Sequence, residues 1–369
     1  MRRLTVMQLL PALDAGGVER SALEVAATLV GAGHRAIVVS AGGRMLPQLD
    51  AIGAEHAPLA IGRKSPWVLR HLPALRRLCA QADIVHARSR LPAWLAWWAL
   101  RTLPAAQRPH FITTAHGLNS VSRYSAIMTR GERVICVSNT VRDYLLQHYP
   151  QTDPARLRVI PRGIDPHAFA PAPMPDTAAR ARIAQLYPQL AGNGPLLLLP
   201  GRGTRLKGHA DAIALLTQLR ASGLDARLWM PGAQQAGRAA YLRELEQLAQ
   251  VAQVTDALAI TAPTDAMREA YAACDLVLQL SRKPEALGRT VLEALAVGRP
   301  VVGWDHGGVG ELLRQLFPQG AVPAFEMSEM ARRAGMLLAQ LPTLPVTMPY
   351  TLDAMQEATL ALYQEIMDV

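Results

Sequence analysis

Two glutamates eight positions apart, Glu285 and Glu293, bracket a glycine in the stretch SRKPEALGRTVLEA at residues 281–294. A strand-like VLQL precedes it, and RTVLEALAVG reads as a helix ended by Gly298 with Pro300 beyond. Glu285 is then expected in a loop and Glu293 about one turn inside the helix. The backbone from Ala286 through Leu287, Gly288 and Arg289 to Thr290 would hold free N–H groups at that helix start, and Gly288 would let an anionic diphosphate approach them. A carboxylate one turn further on accepts hydrogen bonds from paired ribose hydroxyls, while the loop carboxylate meets the hydroxyls of an attached sugar. Taken alone, the pair is explained at least as well by a dipole-compensating Glu285 and a solvated Glu293.

A second stretch shifts that balance. PGRGTRLKG, residues 200–208, follows an apolar strand and sets Arg202 and Lys207 in a glycine-rich loop before a helix starting near His209. A guanidinium fork and an ammonium point charge beside open backbone suit a departing diphosphate, on which negative charge grows. Lysine is scarce: only Lys64, Lys207 and Lys283 occur, so Lys207 stands out. In LDAGGVERSALEVA, Gly16 and Gly17 fall at the turn from a first strand to a first helix, where backbone can approach a phosphate or sugar. That turn lacks the GxGxxG spacing of dinucleotide binders, which argues against an NAD enzyme. FITTAHG puts His116 at a strand tip, and DIVHARS does the same for His86 and Arg88; each is readable as structural or as substrate-facing. Glu311, in WDHGGVGELL, is explained by helix-dipole compensation. No Asp-x-Asp pair and no zinc-spaced histidine cluster occurs, so no metal is expected.

Strands must place these residues. Apolar runs bounded by turn residues alternate with helical stretches, first LTVMQLL through LRVIPRG, then PLLLLPGRG through RPVVGWDHGG. This pattern predicts an α/β chain of two Rossmann-like, doubly wound domains facing a cleft. The expected bounds are a first domain at 1–165, a Pro/Ala-rich connector at 166–194, a second domain at 195–348 and a terminal helix at 349–369. A length of 369 residues, half of them hydrophobic, suits two cores. No apolar run reaches the roughly 18 residues of a spanning helix. Gln8 and Pro11 interrupt the N-terminal apolar stretch, so it reads as a strand rather than a signal peptide. Cys79, Cys136 and Cys274 lack metal spacing and read as buried thiols of a reducing cytoplasm. The net charge of +9 favours polyanionic partners, though nothing else supports nucleic acid.

In this order, AGGVER, TAHG, GRG…LKG, the E-x7-E pair Glu285/Glu293 and GGVGE resemble the large retaining GT-B glycosyltransferase family 4 over nearly the whole chain. The resemblance implies that residues 195–348 form a nucleotide-sugar-binding domain holding the donor, with a UDP-sugar as the expected one, without metal, that residues 1–165 form an acceptor-binding domain, and that the terminal helix 349–369 packs back toward the first domain. Arg202 and Lys207 then correspond to the diphosphate clamp, Glu293 to the ribose anchor, Glu285 to the acid beside the donor sugar and His116 to the histidine near the reacting centre. Where the family commonly has Glu-Gly-Phe-Gly, this chain has Glu285-Ala286-Leu287-Gly288, a change that spares the backbone amides but alters packing around the sugar.

The acceptor is expected to be a saccharide or a lipid-linked, lipopolysaccharide-type molecule. RKSPWVLRHLPALRRL (residues 63–78) and LPAWLAWWALR combine Trp67, Trp94, Trp97 and Trp98 with arginines, as on a protein resting peripherally on anionic lipid at the inner face of a membrane. Core tryptophans and solvated arginines are the plainer account. A nucleotide-sugar epimerase or phosphorylase on the same fold, or a non-catalytic nucleotide-sugar sensor, are the competing functions.

Overall fold

The computed structural model describes residues 2–14, 16–345 and 347–368. The chain divides into two units, one of Met1–Gly163 with Leu352–Val369 and one of Ile164–Thr351.

The first unit holds a parallel sheet of β1 (Thr5–Leu9), β2 (Arg35–Ser40), β3 (Glu55–Pro58), β4 (Ile84–Ala87), β5 (His110–Ala115), β6 (Arg133–Cys136) and β7 (Leu157–Val159), in the order β3-β2-β1-β4-β5-β6-β7. Side chains alternate between its faces. Val6, Val38 and Ile84 pack with Leu23, Leu29 and Tyr363, whereas Met7, Val39 and Val85 pack with Leu75, Leu95 and Ala96. Both faces are covered, so the strands read as unbroken apolar runs instead of alternating ones. The edge strands depart from this: β3, EHAP, is partly exposed and ends in a proline, which an edge tolerates, and β7, LRV, carries a partly exposed Arg158. Helix Leu352–Met367 belongs to this unit because Met355, Thr359, Leu362, Tyr363 and Ile366 recur at helical spacing and are buried.

The second unit repeats the plan with β8 (Leu196–Leu198), β9 (Arg227–Pro231), β10 (Leu258–Thr261), β11 (Leu276–Gln279), β12 (Val301–Trp304) and β13 (Ala321–Val322), ordered β10-β9-β8-β11-β12-β13 and parallel throughout. In each sheet the strand order reverses at one place, between β1 and β4 and between β8 and β11. Chain leaving the carboxyl ends of those strands flanks the crevice where open α/β sheets take ligands. The turn at Gly16–Gly17 follows β1 and Arg88 follows β4; loop 200–208 follows β8 and loop 281–288 follows β11.

Residues 166–194 are more than a connector. Asp176 caps helix Thr177–Leu186 by accepting from Ala179 N–H at 2.9 Å, and Ala179, Ile183 and Leu190 enter the core of the second unit. These apolar positions outweigh the surrounding prolines. Cys79, Cys136 and Cys274 are unpaired and buried. Burial raises the Cys79 and Cys136 thiols to about 12, which keeps them protonated and inert.

Candidate functional site

In the second unit, two loops meet beside the β8/β11 reversal. Arg282 N–H donates to Leu206 O at 2.8 Å, and Lys207 Nζ reaches Glu285 Oε1 at 2.5 Å, so the lysine of one loop holds the acid of the other. Ser281 Oγ donates to the same carboxylate oxygen. Both charged side chains of the pair are about a quarter exposed, at 27% and 24%, which leaves water or a ligand access to them. The loops can approach because Gly208, at φ 75°, has no side chain where a Cβ would strike Leu280 O.

Helix Arg289–Val297 starts at Gly288, whose φ of 90° lies in the left-handed region, and ends at Gly298. A Cβ at Gly288 would lie 2.7 Å from Val309 Cγ2. Its first N–H groups lack intrahelical acceptors, as at any helix start. Glu293, one turn in and 15% exposed, accepts from Arg289 Nε at 3.0 Å on Oε1 and from the Tyr271 hydroxyl at 2.8 Å on Oε2. A carboxylate has about four lone-pair sites, so two remain for a diol. Tyr271 is buried, and desolvation followed by the Glu293 charge pushes its hydroxyl well above the usual tyrosine range, which keeps it a donor.

A third segment braces this arrangement from below. Gly308 N–H donates to Glu285 O at 2.7 Å, and His306 Nε2 donates to Ser281 O at 2.8 Å. Gly308 lies so close to Ala286 O and Leu287 Cα that only a glycine fits. Leu287 itself is buried, while Arg202 is exposed at the loop rim and makes no side-chain hydrogen bond or ion pair among the described residues.

The first unit gathers a different set. His116 follows β5, and its Nδ1 lies 2.5 Å from Arg162 Nη2, on the chain after β7. Burial, then Arg162, Arg88 and His86, hold its imidazole well below the ordinary histidine value. Gly16 and Gly17 start helix Gly17–Gly31, and a methyl at Gly17 would collide with Arg162 Nη1. Arg88, 4% exposed, donates to Gln8 Oε1 at 2.6 Å and Ser21 Oγ at 3.2 Å. His86 is fully buried, with Nδ1 on the Tyr363 hydroxyl and Nε2 on Thr114 Oγ1, each at 2.6 Å.

Sequence models of known families match this chain in tandem: Glycosyltransferase Family 4 over residues 15–168 and Glycosyl transferases group 1 over 188–340. This chain belongs to glycosyltransferase family 4. A glycosyltransferase from Rickettsia africae superposes with TM-score 0.87 at 27% identity, covering 100% of this chain and 99% of that one. Anabaena HepE, solved with UDP and glucose, superposes with TM-score 0.81 at 17% identity over 98% and 100% of the two chains, a likeness of fold. Alpha-maltose-1-phosphate synthase of Mycolicibacterium smegmatis is 31% identical over 225 residues, 56% of each chain, so the match spans about half the length of that relative. The fold is GT-B, two Rossmann-like units with parallel sheets.

Within this glycosyltransferase, Lys207, Ala286, Leu287, Gly288, Arg289, Thr290, Glu285 and Glu293 come together in one unit, and His116, Gly16 and Gly17 lie in the other. His86 is a structural residue, bonded at both ring nitrogens, and the substrate-facing alternative for it has no accessible atom to rest on. Sequence reasoning passed over Tyr271, Ser281, His306 and Arg162. Arg162 had a signal, a charged residue placed immediately after an apolar strand in VIPRGID; Tyr271, inside the apolar run YAAC, had none. The tryptophans divide: Trp94 and Trp97 pack against the core, with Arg101 and Arg130 stacked on Trp97, whereas Trp98 is 39% and Trp67 76% exposed.

Proposed function

We propose that this glycosyltransferase moves a sugar from a nucleoside diphosphate donor to a saccharide or glycolipid acceptor with retention of anomeric configuration. The observation that carries the reading is the Lys207–Glu285 pair, set beside a glycine-started helix that bears Glu293. On donor binding, Lys207 and Arg202 neutralise the diphosphate, helix-start N–H groups from Ala286 to Thr290 cradle it, Glu293 accepts from the ribose diol and Glu285 from the sugar hydroxyls. As the bond from the anomeric carbon to the phosphate oxygen breaks, the acceptor oxygen bonds to that carbon on the same face. Its proton passes to the departing phosphate, so no metal and no separate base are required. His116 and the Gly16–Gly17 turn supply hydrogen-bond donors of the first unit to the substrates.

A lipid-linked acceptor, in lipopolysaccharide or other cell-surface polysaccharide synthesis, fits the first unit's exposed face. Trp67 and Leu69 stand out from a patch that includes Arg63 and Arg70, with a cavity of about 350 Å3 at their base. Aromatic anchors among cations suit an anionic bilayer surface, which supports a peripheral position on a membrane, with the inner face as the proposed side. No helix among the described residues is long and apolar enough to cross a membrane.

A thermal-shift panel of UDP-, GDP- and ADP-sugars tests the donor, with a UDP-sugar tried first. A true donor present at ~100 times its Kd raises stability by about 2.7 kcal/mol. If no nucleotide sugar raises the melting temperature, and none is consumed with acceptor present, the proposal fails. Flotation with anionic vesicles at low and high salt tests the membrane face; absence of binding at both removes it.

A further inference from the structure

The contact between Arg162 and His116 fixes more than position. A guanidinium has only donors, so Arg162 Nη2 donates and His116 Nδ1 must accept. The single ring proton of a neutral imidazole then resides on Nε2. His116 Nε2 is buried without a hydrogen-bond partner among the described residues, and so is Arg88 Nη2. Both residues line one cavity of about 20 Å3, whose other walls include Ser21, Val25, Met355 and Thr359 from the first and last helices of the unit, none of them charged. That space admits one oxygen atom and no more. The titratable or charged groups that act on His116 are Arg162, Arg88 and His86, and every one of them opposes a proton on Nδ1, as does burial.

We infer that Arg162 is a positioning residue that locks His116 as a neutral Nε2–H donor, so that His116 serves transfer by donating to an oxygen and never as its general base. Donation to a substrate oxygen rests on the proposed transferase reading; the locked tautomer does not. Gly17 is part of the device, because any side chain there would displace the Arg162 guanidinium.

Long-range nitrogen–proton NMR of the imidazoles in the full-length protein, without substrate, reads the tautomer directly, with the His116 signals assigned by their loss in His116→Gln. Expected is an Nε2–H pattern that does not titrate between about pH 5.5 and 8. Arg162→Lys, still a donor, keeps the pattern; Arg162→Met converts it into mixed tautomers or a titrating ring, and gives the pH profile of kcat an acid limb that the parent enzyme lacks. An Nδ1–H tautomer in the parent protein, titration near the ordinary histidine value, or an unchanged pattern in Arg162→Met overturns the inference. Should Arg162→Met fail to fold, the parent protein and Arg162→Lys still decide. If the lock is present but no nucleotide sugar is turned over, the transferase reading fails and this one stands.

Discussion

The two units solve the problem of charge near a sheet's switch point in opposite ways. In the second, cations meet acids: Lys207 with Glu285 between two loops, Arg289 with Glu293 along one helix and Arg282 with Asp211 at the start of another, each pair partly exposed. In the first, cations meet neutral dipoles: Arg88 binds Gln8 and Ser21, Arg162 binds a neutral histidine, and His86 is held between two hydroxyls. An ion pair about a quarter exposed exchanges partners at little cost, and on the proposed reading a diphosphate takes Lys207 from Glu285. A buried cation held by neutral side chains fixes geometry instead, because the few acceptors it does reach stand at set positions.

The largest effect expected is at the exchangeable pair. Glu285→Gln and Lys207→Met should each lower kcat/KM by about 10²–10³-fold, and the double variant should fall short of the product because the side chains touch. Multiplicative losses in steady-state kinetics would show that the pair is not a working unit.

Acid should strip the buried histidines next. Burial lowers His209, in the second unit, from 6.5 to about 4, and His86 and His116, in the first, are likewise held well below the ordinary value. Each is neutral when folded and takes a proton more readily when unfolded. Their contribution is therefore complete above the unfolded value near 6.5 and is lost as pH falls through the folded one. For His209 the lost stability amounts to about 3 kcal/mol. Urea midpoints measured down the pH scale, with His209→Gln flattening the slope, check this. A first unit that resists acid better than the second would break the comparison.

Tyr363→Phe leaves the buried His86 Nδ1 without its partner and should cost about 1–3 kcal/mol in chemical unfolding. Tyr271→Phe removes one of two protein bonds to Glu293. It should weaken donor binding by about five- to tenfold, equivalent to roughly 1 kcal/mol, as read by calorimetry. The smallest effect belongs to Glu365, exposed on the same terminal helix as Tyr363 and paired with Arg133 and Arg158. Glu365→Gln should change stability by less than about 1 kcal/mol.

Local pattern carried much of this into the sequence. The runs LTVMQLL and PLLLLPGRG announced buried parallel strands, since side chains facing two covered layers must all be apolar. Gly288 and Gly298 announced both ends of the helix that bears Glu293, because each sits at a left-handed φ. Strands β3 and β13 escaped notice, being four and two residues long with no apolar alternation to read. Within residues 166–194, prolines masked a helix whose two apolar anchors, Ala179 and Ile183, carry meaning only once a core exists to receive them.

By itself the sequence determined the class of the fold, the two-unit plan and the residue types gathered at strand ends, because hydrophobic period, glycine punctuation and charge are local properties of the chain. Only the tertiary structure decided who holds whom: Lys207 on Glu285 across 78 positions, Tyr271 on Glu293 across 22, and Arg162 on His116 across 46. Such pairings arise where parallel crossovers bring distant strand ends side by side, and no spacing along the chain encodes them.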